Sequence, residues 1–275
     1  MSVSRSTLLT YAVLLAAAAI TLLPFLWIFV TSLKYIRDVS TGAMLFQPTL
    51  SNYESLFSGD SPFPRYMLNS LIVALLATTT AVLVGVPAAY SLTRFRWPAL
   101  VSGGLLGWIL VMHAIPPVTL SAPLFVVVRS LGLYDQLVGL ALIHILLAVP
   151  IVVWLMRGFF GDLPQEVEEA ARVDGCSRVQ VFTLVALPLV APGIAAAGML
   201  AFMVSWNEFL FAVTLTSSAQ AQTIPVGLSL QVQEYVIRYG EMSAGAVIAT
   251  VPAILFVALG QRRLVQGLTF GAVKG

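Results

Sequence analysis

Charged side chains are scarce in this sequence. Lys, Arg, Asp and Glu make up only 9% of its 275 residues, whereas hydrophobic residues make up 59%. A soluble domain carries about 25% charged residues, so this composition excludes an ordinary soluble protein and indicates a chain surrounded mainly by lipid. The net charge of +2 is too small to predict nucleic-acid binding, which needs a strongly basic surface.

Residues for metal, disulfide and nucleotide chemistry are also few. Cys176 is the single cysteine, which excludes an intramolecular disulfide and a cysteine-cluster metal site. His113 and His144 are the only histidines, and no carboxylate stands at a spacing that would complete a metal site with them. No glycine-rich loop ending in Gly-Lys-Ser/Thr occurs, so the chain is not itself a P-loop ATPase. We predict no catalytic residues, no metal and no cofactor in this chain.

Long apolar runs dominate the rest of the sequence. A membrane-spanning helix needs about 20 predominantly apolar residues, and six stretches qualify: about 8–31, 67–92, 101–128, 133–156, 181–213 and 242–260. The first is longer than the apolar core of a secretory signal, about 7–15 residues, and is predicted to be retained. Every stretch contains proline, which favours a gated pathway over plain helix packing. We predict an all-α integral membrane protein with a single transmembrane domain over residues 1–275.

The basic residues predict the orientation of these spans. Lys and Arg accumulate on the cytoplasmic side of membrane proteins, whereas acidic residues contribute little. With six spans both termini share one side, which collects nine basic residues: Arg5, Arg94, Arg96, Arg157, Arg172, Arg178, Arg262, Arg263 and Lys274. The opposite side has five: Lys34, Arg37, Arg65, Arg129 and Arg238. Both termini are therefore predicted to be cytoplasmic, as is the loop between the fourth and fifth spans.

This loop contains a short polar helix, predicted over about 162–176. Asp162 and Pro164 are typical of a helix start, and Gly175 of a helix stop. One face carries Leu163, Val167, Ala170 and Ala171, and the other carries Gln165, Glu166, Glu168, Glu169 and Arg172. Small residues let another backbone approach closely, so the helix suits insertion into a groove of a second protein. A solvated surface helix is the alternative.

The spacing within and after this helix resembles the EAA motif of ABC importer permeases. The matching residues are Glu169-Ala170-Ala171, Gly175, Val185 and Leu187-Pro188. Further segments, among them Asn69-Ser70 and Trp206-Asn207-Glu208, are similar to the MalG-like carbohydrate permeases. The resemblance implies the architecture of a type I ABC importer permease in the bacterial cytoplasmic (inner) membrane. In that family the motif forms the coupling helix, which implies an ATPase-coupling role for Glu169, Ala170, Ala171, Asp174, Gly175, Leu187 and Pro188.

The resemblance also implies partners and a cargo. A MalG-like subunit works with a MalF-like second permease, two ATP-binding subunits that hold ATP and Mg, and an extracytoplasmic sugar-binding protein or lipoprotein. Its substrate is a sugar, here a disaccharide or oligosaccharide. The Ala- and Val-rich composition resembles actinobacterial members, among them the mycobacterial trehalose importers, and this makes trehalose the first candidate.

Polar residues within the spans are candidates for the translocation pathway, because ionisable groups in a membrane are costly. Trp206, Asn207 and Glu208 combine an aromatic ring, an amide and a carboxylate, which suit a sugar. The alternatives are an interfacial anchor for Trp206 and a structural partner for Glu208. His113 stands beside Pro116-Pro117 and either faces the pathway or bonds between helices. For His144 we predict structural packing.

Two other functions remain to be weighed. A secondary transporter or channel would work without an ATPase, and it needs intramembrane carboxylates to carry the coupling ion. Almost all the acidic residues lie in loops, with Glu208 as the arguable exception. An intramembrane enzyme needs a nucleophile–base pair or a metal-ligand set, and neither histidine has one. Both alternatives are weaker than a non-catalytic permease subunit.

Overall fold

The computed structural model describes residues 5–59, 61–231 and 238–270; the side chains of residues 5, 6, 113, 257 and 259–270 are outside the description. All regular elements of the described chain are helical, which confirms the all-α prediction. Two compact units are distinguished: Met1–Pro64 with Gly227–Val251, and Arg65–Val226 with Pro252–Gly275. Lys274, which contributed to the predicted orientation, lies outside the described residues.

The described chain contains fourteen α-helices and one π-helix. In sequence they are α1 (Arg5–Ser32), α2 (Ile36–Ser40), α3 (Ser51–Leu56), α4 (Phe63–Arg94), α5 (Ala99–Ala114), α6 (Pro117–Ser130), α7 (Leu137–Asp162), α8 (Gln165–Val173), α9 (Arg178–Gln180), the π-helix (Val181–Ala186), α10 (Leu187–Leu189), α11 (Ala191–Trp206), α12 (Leu210–Leu215), α13 (Ile224–Ser229) and α14 (Tyr239–Phe270).

Four of these helices contain segments long and apolar enough to cross a membrane, and two bent pairs raise the number to six if each pair is one span. The four segments are Thr7–Ser32, Phe63–Arg94, Leu137–Asp162 and Tyr239–Phe256. They correspond to the first, second, fourth and sixth predicted stretches. The count of six and the cytoplasmic position of both termini stay predictions.

Proline breaks the third predicted stretch, 101–128. Helix α5 ends at Ala114, and α6 begins at Pro117 at an angle of 107° to it. Ile115 and Pro116 are both extended, with ψ of 124° and 130°. Each precedes a proline, and the ring of the following proline disfavours the helical conformation at such a position. The stretch is thus a pair of half-length helices rather than one continuous helix.

The fifth predicted stretch, 181–213, differs from the structure at both ends. The helical path begins earlier, at Arg178, and bends by 76° between Leu189 and Ala191. This bend lies between Pro188 and Pro192, which lack the N–H groups that an unbroken helix would use. Helix α11 ends at Trp206, and residues up to Leu215 belong to the separate helix α12. The predicted end at residue 213 is therefore corrected to 206.

Small residues let the central helices of the larger unit pack closely. Its main core cluster joins α4, α7 and α11 through residues such as Ala81, Val152 and Ala197. A Cβ atom added at Gly193 of α11 would lie 2.5 Å from the Phe159 ring of α7, a distance that real Cβ atoms do not reach. The glycine is therefore required where α11 passes over Phe159.

In a second cluster of the same unit, α12 packs against α6 and α7. Phe211 and Leu215 of α12 pack with Val128 and Leu140. In the smaller unit, Leu56, Phe63 and Ala244 form a separate cluster. These two smaller clusters fix short helices that could not be stable alone, because isolated helices below about 12–15 residues are marginal in water.

Candidate functional site

Helix α8 is the structural counterpart of the predicted helix over 162–176, with corrected bounds. It covers Gln165–Val173. Asp162, predicted as part of its start, is instead the last residue of α7. Leu163 is extended, with ψ of 121°, because Pro164 follows it and disfavours helix at that position. Pro164 thereby separates the two helices, and α8 begins immediately after it.

The end of α8 confirms Gly175 as a stop signal. Gly175 has φ of +93°, a left-handed conformation that glycine adopts without a steric penalty. The Gly175 amide donates to the Arg172 carbonyl over 3.1 Å, and the Cys176 amide donates to the Ala171 carbonyl over 3.0 Å. This pair of bonds is the Schellman motif. It caps the last carbonyls of α8 and reverses the chain sharply.

A second cap starts the next helix and was not predicted from the sequence. The Ser177 hydroxyl accepts a hydrogen bond from the Gln180 amide over 3.3 Å, and the Gln180 side chain accepts one from the Ser177 amide over 2.8 Å. This reciprocal pair is a capping box, which the spacing Ser-x-x-Gln could have revealed. Together the two caps fix the turn that joins α8 to α9.

The predicted coupling residues are only partly brought together. Glu169, Ala170, Asp174 and Gly175 are exposed on α8 and its terminal turn, and Ala171 is half-buried. Leu187 and Pro188 lie on α10, where Leu187 packs against the main core and Pro188 is exposed. The structure therefore gives the first group an accessible surface and gives Leu187 a packing role. Among the described residues, the ion pairs do not include one between Arg172 and Asp174.

The apolar face of α8 is not its buried face, and Glu168 has an environment different from that of the polar residues with which the sequence grouped it. Val167 is 41% exposed and Val173 is 87% exposed, whereas Glu168 is only 7% exposed. Glu168 is the one buried residue of α8. Its carboxylate turns toward the chain's own interior, and this leaves Val167, Ala170 and Val173 accessible.

Glu168 is buried because two residues of α4 meet its carboxylate. The Arg94 Nε donates to Glu168 Oε1 over 2.7 Å, and the Tyr90 hydroxyl donates to Oε2 over 2.8 Å. The Arg94 Nη2 also donates to the Leu163 carbonyl over 2.8 Å. A buried charge needs such a paired and hydrogen-bonded environment. We call Tyr90, Arg94 and Glu168 the anchor cluster.

Aromatic rings surround the anchor cluster. The Tyr90 ring lies 5.2 Å from the Phe160 ring of α7 and 4.8 Å from the Phe182 ring of the π-helix, centroid to centroid. The Arg178 guanidinium lies 5.5 Å from the centroid of the Phe95 ring, within the range of a cation–π contact. Helices α7, α8, α9 and the π-helix therefore meet around the end of α4.

Two cavities flank α8. The smaller, about 90 Å³, borders the anchor cluster and includes Glu169, Arg172 and Arg178 in its lining. The larger, about 310 Å³, lies beside the start of α8 and is mostly apolar, with Phe159, Val167 and Pro192 among its lining residues. Both extend the accessible surface around α8.

The predicted pathway residues Trp206, Asn207 and Glu208 have different environments. Trp206 is buried and stacks on Phe202 of its own helix, with ring centroids 5.5 Å apart. The exposed Asn207 side chain donates to the Met203 carbonyl over 2.8 Å. Glu208 accepts hydrogen bonds from the Phe211 and Ala212 amides over 2.8 and 3.0 Å, so it caps the start of α12.

His144 and Ser205 complete the surroundings of Glu208. The His144 Nδ1 lies 2.7 Å from the Ser205 hydroxyl oxygen, and its Nε2 lies 3.3 Å from Glu208 Oε2. His144 is only 1% exposed and links α7 to the end of α11, as structural packing predicts. His113 belongs to α5, but its side chain lies outside the described residues. In the described chain no group of His, Cys, Asp and Glu residues forms a metal-ion site.

A polar latch that the sequence analysis did not assign holds the segment after α12. The Asn69 Nδ2 lies 2.8–3.1 Å from the carbonyl oxygens of Ala219, Gln220 and Gln222. The Ser70 hydroxyl accepts from the Ile224 amide over 2.8 Å. Asn69 is fully buried, and this α4 side chain supplies donors to the segment after α12, including the carbonyl of the buried residue Gln222.

A family model and curated relatives match this chain. The family is described as "Binding-protein-dependent transport system inner membrane component", and its model matches residues 81–270. The trehalose transport system permease protein SugB of Mycobacterium tuberculosis is 39% identical over 260 residues, which are 92% of this chain and 93% of that protein. The trehalose/maltose transport system permease protein MalG of Thermococcus litoralis is 34% identical, over 98% of this chain and 97% of that protein.

Other comparisons extend the range of related transport systems. The sulfoquinovosyl glycerol transport system permease protein SmoH of Agrobacterium fabrum is 37% identical, over 92% of this chain and 89% of that protein. Among solved structures, a chain of a bacterial ABC transporter that imports alginate has a TM-score of 0.76 at 24% identity. The match covers 96% of this chain and 99% of that chain. At this identity the structural likeness establishes the fold.

Proposed function

The chain belongs to the family of inner membrane components of binding-protein-dependent transport systems, and from this premise we propose that it is the permease subunit of an ATP-driven sugar importer. With a MalF-like second permease it would form a pathway that opens alternately to the two sides of the membrane. The family assigns the chain to the inner membrane as a multi-pass protein. The relatives that transport trehalose, maltose and sulfoquinovosyl glycerol support a carbohydrate cargo.

The single observation that carries the coupling proposal is the exposed surface of α8. Glu169 and Ala170 are accessible on a capped helix just beyond α7, which is long enough to span a membrane. Each of two ATP-binding subunits would bind ATP and Mg, and one of them would receive α8 in a groove. When the ATP-binding subunits close, the groove would move α8 and the helices attached to it.

The orientation follows from the same proposal. An ATP-binding partner works in the cytoplasm, so α8 would lie on the cytoplasmic side, and six spans would place both termini there. The excess of basic residues predicted for that side supports this arrangement. An extracytoplasmic sugar-binding protein or lipoprotein would then deliver the cargo to the opposite side.

On the pathway side we propose that Trp206 and Glu208 shape the cavity and that Asn207 contacts the sugar. The Trp206 ring is buried against Phe202, and the Glu208 carboxylate is engaged by backbone amides. The Asn207 side chain is exposed and retains hydrogen-bonding capacity. His113 stays a candidate for the pathway. We propose a disaccharide or oligosaccharide as cargo, and trehalose is the first sugar to test.

The proposal is tested in the complete transporter, assembled with its second permease, its ATP-binding subunits and its binding protein. Glu169→Lys reverses a charge on the exposed surface of α8, and Gly175→Asp places a side chain at a φ of +93° in its terminal turn. We expect both variants to insert into the membrane but to lose ATP-driven trehalose uptake. Arg96→Ala, an exposed change outside α8, serves as the control and should retain uptake.

Two results would count against the proposal. Normal uptake by both variants would contradict the coupling role of α8. Uptake by the purified chain alone, driven by an ion gradient, would instead indicate a secondary transporter or channel.

A further inference from the structure

We propose that Arg94 is the positioning residue that fixes α8 to the membrane helices, so that α8, the end of α4 and the end of α7 move as one body. This inference rests on the proposed coupling function. It assigns the transmission of movement to three side chains outside the EAA motif: Tyr90, Arg94 and Glu168. None of them belongs to the exposed surface that would contact a partner subunit.

The first argument is the attachment of α8. This helix has nine residues, and a helix of this length is marginal without tertiary contacts. Glu168 is its only buried residue, and its other side chains stay at least partly exposed where α8 lies against the π-helix. The position of α8 therefore depends strongly on the contacts of the Glu168 carboxylate. Both oxygens of that carboxylate are bound by α4 side chains, at 2.7 and 2.8 Å.

The second argument is the double role of the Arg94 guanidinium. Its Nε binds Glu168, and its Nη2 binds the Leu163 carbonyl. Leu163 stands in the extended link between α7 and α8, so its carbonyl does not continue the α7 hydrogen-bond ladder. One planar group thus holds the last residue of α4, the link after α7 and the centre of α8. A lysine would keep the charge but not this fixed fork of donors.

The third argument is burial. The Arg94 and Glu168 side chains are each only 9% exposed, and the rings of Phe160 and Phe182 enclose Tyr90. Solvent therefore screens this pair little, and removal of either partner leaves an unpaired charge in a confined site. An exposed ion pair would separate at little cost under the pull of a moving partner. The buried pair is suited to transmit that movement.

The experiment compares Arg94→Gln, Glu168→Gln and the double variant in the complete transporter. Copurification with the ATP-binding subunits measures assembly, and sugar uptake and binding-protein-stimulated ATPase activity are expressed per assembled complex. We expect each single variant to lower uptake per complex about tenfold, within the usual range for coupling between sites. The double variant should lose no more than the single variants, because both changes remove the same interaction. Arg96→Gln is the matched control and should behave as the wild type.

A purely structural role for Arg94 would reduce the amount of complex but leave its uptake per complex unchanged, and this result would overturn the inference. Losses of uptake that multiply in the double variant would also overturn it, since they would show that Arg94 and Glu168 act independently.

If the single variants do not assemble, Tyr90→Phe provides the test, because it removes only the hydrogen bond to Oε2. Uptake per complex should then still fall, and an unchanged value would overturn the inference. A wild-type complex without ATP-driven uptake would defeat the proposed function itself, independently of these variants.

Discussion

At the residue scale, Asp135 shows how one side chain organises a loop. Asp135 lies between α6 and α7 with φ of +58°, and its carboxylate accepts hydrogen bonds from the Ser217 and Ser218 amides over 2.8 and 3.0 Å. Its own amide donates to the Leu215 carbonyl over 2.9 Å. Burial by itself would raise the pKa of Asp135, but the hydrogen bonds from Ser217 and Ser218 outweigh it and the pKa is lowered.

This lowered pKa predicts a pH dependence of stability. A carboxyl group whose pKa is lower in the folded state stabilises that state above its unfolded pKa, about 3.9, and loses this contribution as the pH falls through the folded value. We therefore expect the wild type to have a higher thermal unfolding midpoint than Asp135→Asn at pH 7. The difference should shrink as the pH falls below about 4. Asparagine is the matched variant, because it tolerates the left-handed backbone conformation.

The measurement is thermal unfolding of both proteins in detergent over a range of pH. A difference between them that is constant down to the lowest pH would contradict the assigned role of the Asp135 carboxylate. A larger difference at low pH would contradict the direction of the pKa change.

Adjacent acids on α8 show what sequence could and could not predict. The stop at Gly175 and the exposure of Glu169 follow from local rules of helix ends and periodicity. The burial of Glu168 does not, because its partners Tyr90 and Arg94 stand 78 and 74 residues earlier in the chain. Only the packing of α4 against α8 distinguishes one glutamate from its neighbour. For the same reason the contact of Glu208 with His144 did not follow from the sequence. The Glu208 cap of α12 is local, but it was not predicted because residues 210–213 were placed inside the fifth apolar stretch.

At the element scale, proline marked a break in two of the six predicted stretches, whereas Pro24, Pro87, Pro150 and Pro252 lie inside continuous helices. In the third stretch the observed break of 107° lies at Pro116 and Pro117. The size of the break depends on two consecutive extended residues, and composition alone did not give it. Apolar windows located the four continuous spans, but they could not show that residues beyond Trp206 turn into the separate helix α12. That turn depends on the Glu208 carboxylate.

Close packing of α7 and α11 gives a prediction at this scale. Gly193→Ala would place a Cβ atom 2.5 Å from the Phe159 ring, and overpacking of this kind destabilises by about 1–3 kcal/mol. Gly198→Ala, on the same helix, meets only ordinary contacts at 3.6 Å or more. We expect a lower thermal unfolding midpoint for Gly193→Ala and a wild-type or higher midpoint for Gly198→Ala.

Unfolding of the two variants under identical detergent conditions provides the comparison. Equal midpoints would show that Phe159 moves away at no cost and that α7 and α11 do not need this close approach. A lower unfolding midpoint for Gly198→Ala alone would show that the tight contact lies at Gly198 rather than at Gly193, contrary to the account.

At the scale of the whole molecule, the residues of the chain indicate which part of the transport reaction it can perform. Its sequence has no phosphate-binding loop, and its described residues hold no cluster suited to a metal ion. The chain belongs to a family of inner membrane components of transport systems. Under our proposal, another subunit must therefore bind and hydrolyse the ATP that drives transport. The sequence could predict this class through the EAA motif. It could not predict the cargo, because related permeases with different sugars match almost the whole chain.

The central claim is that the exposed surface of α8 contacts an ATP-binding subunit in the cytoplasm. Site-specific photo-cross-linking tests it directly in a Cys176→Ser background, which removes the single native cysteine. A benzophenone-maleimide label would be placed at Ala170→Cys on α8 or at Leu45→Cys. Leu45 is 94% exposed and is predicted to lie on the opposite side of the membrane.

In the assembled transporter, we predict a cross-linked product between residue 170 and an ATP-binding subunit, with no such product from residue 45. An assembled complex that gives no product from residue 170, or gives the product only from residue 45, would contradict the account.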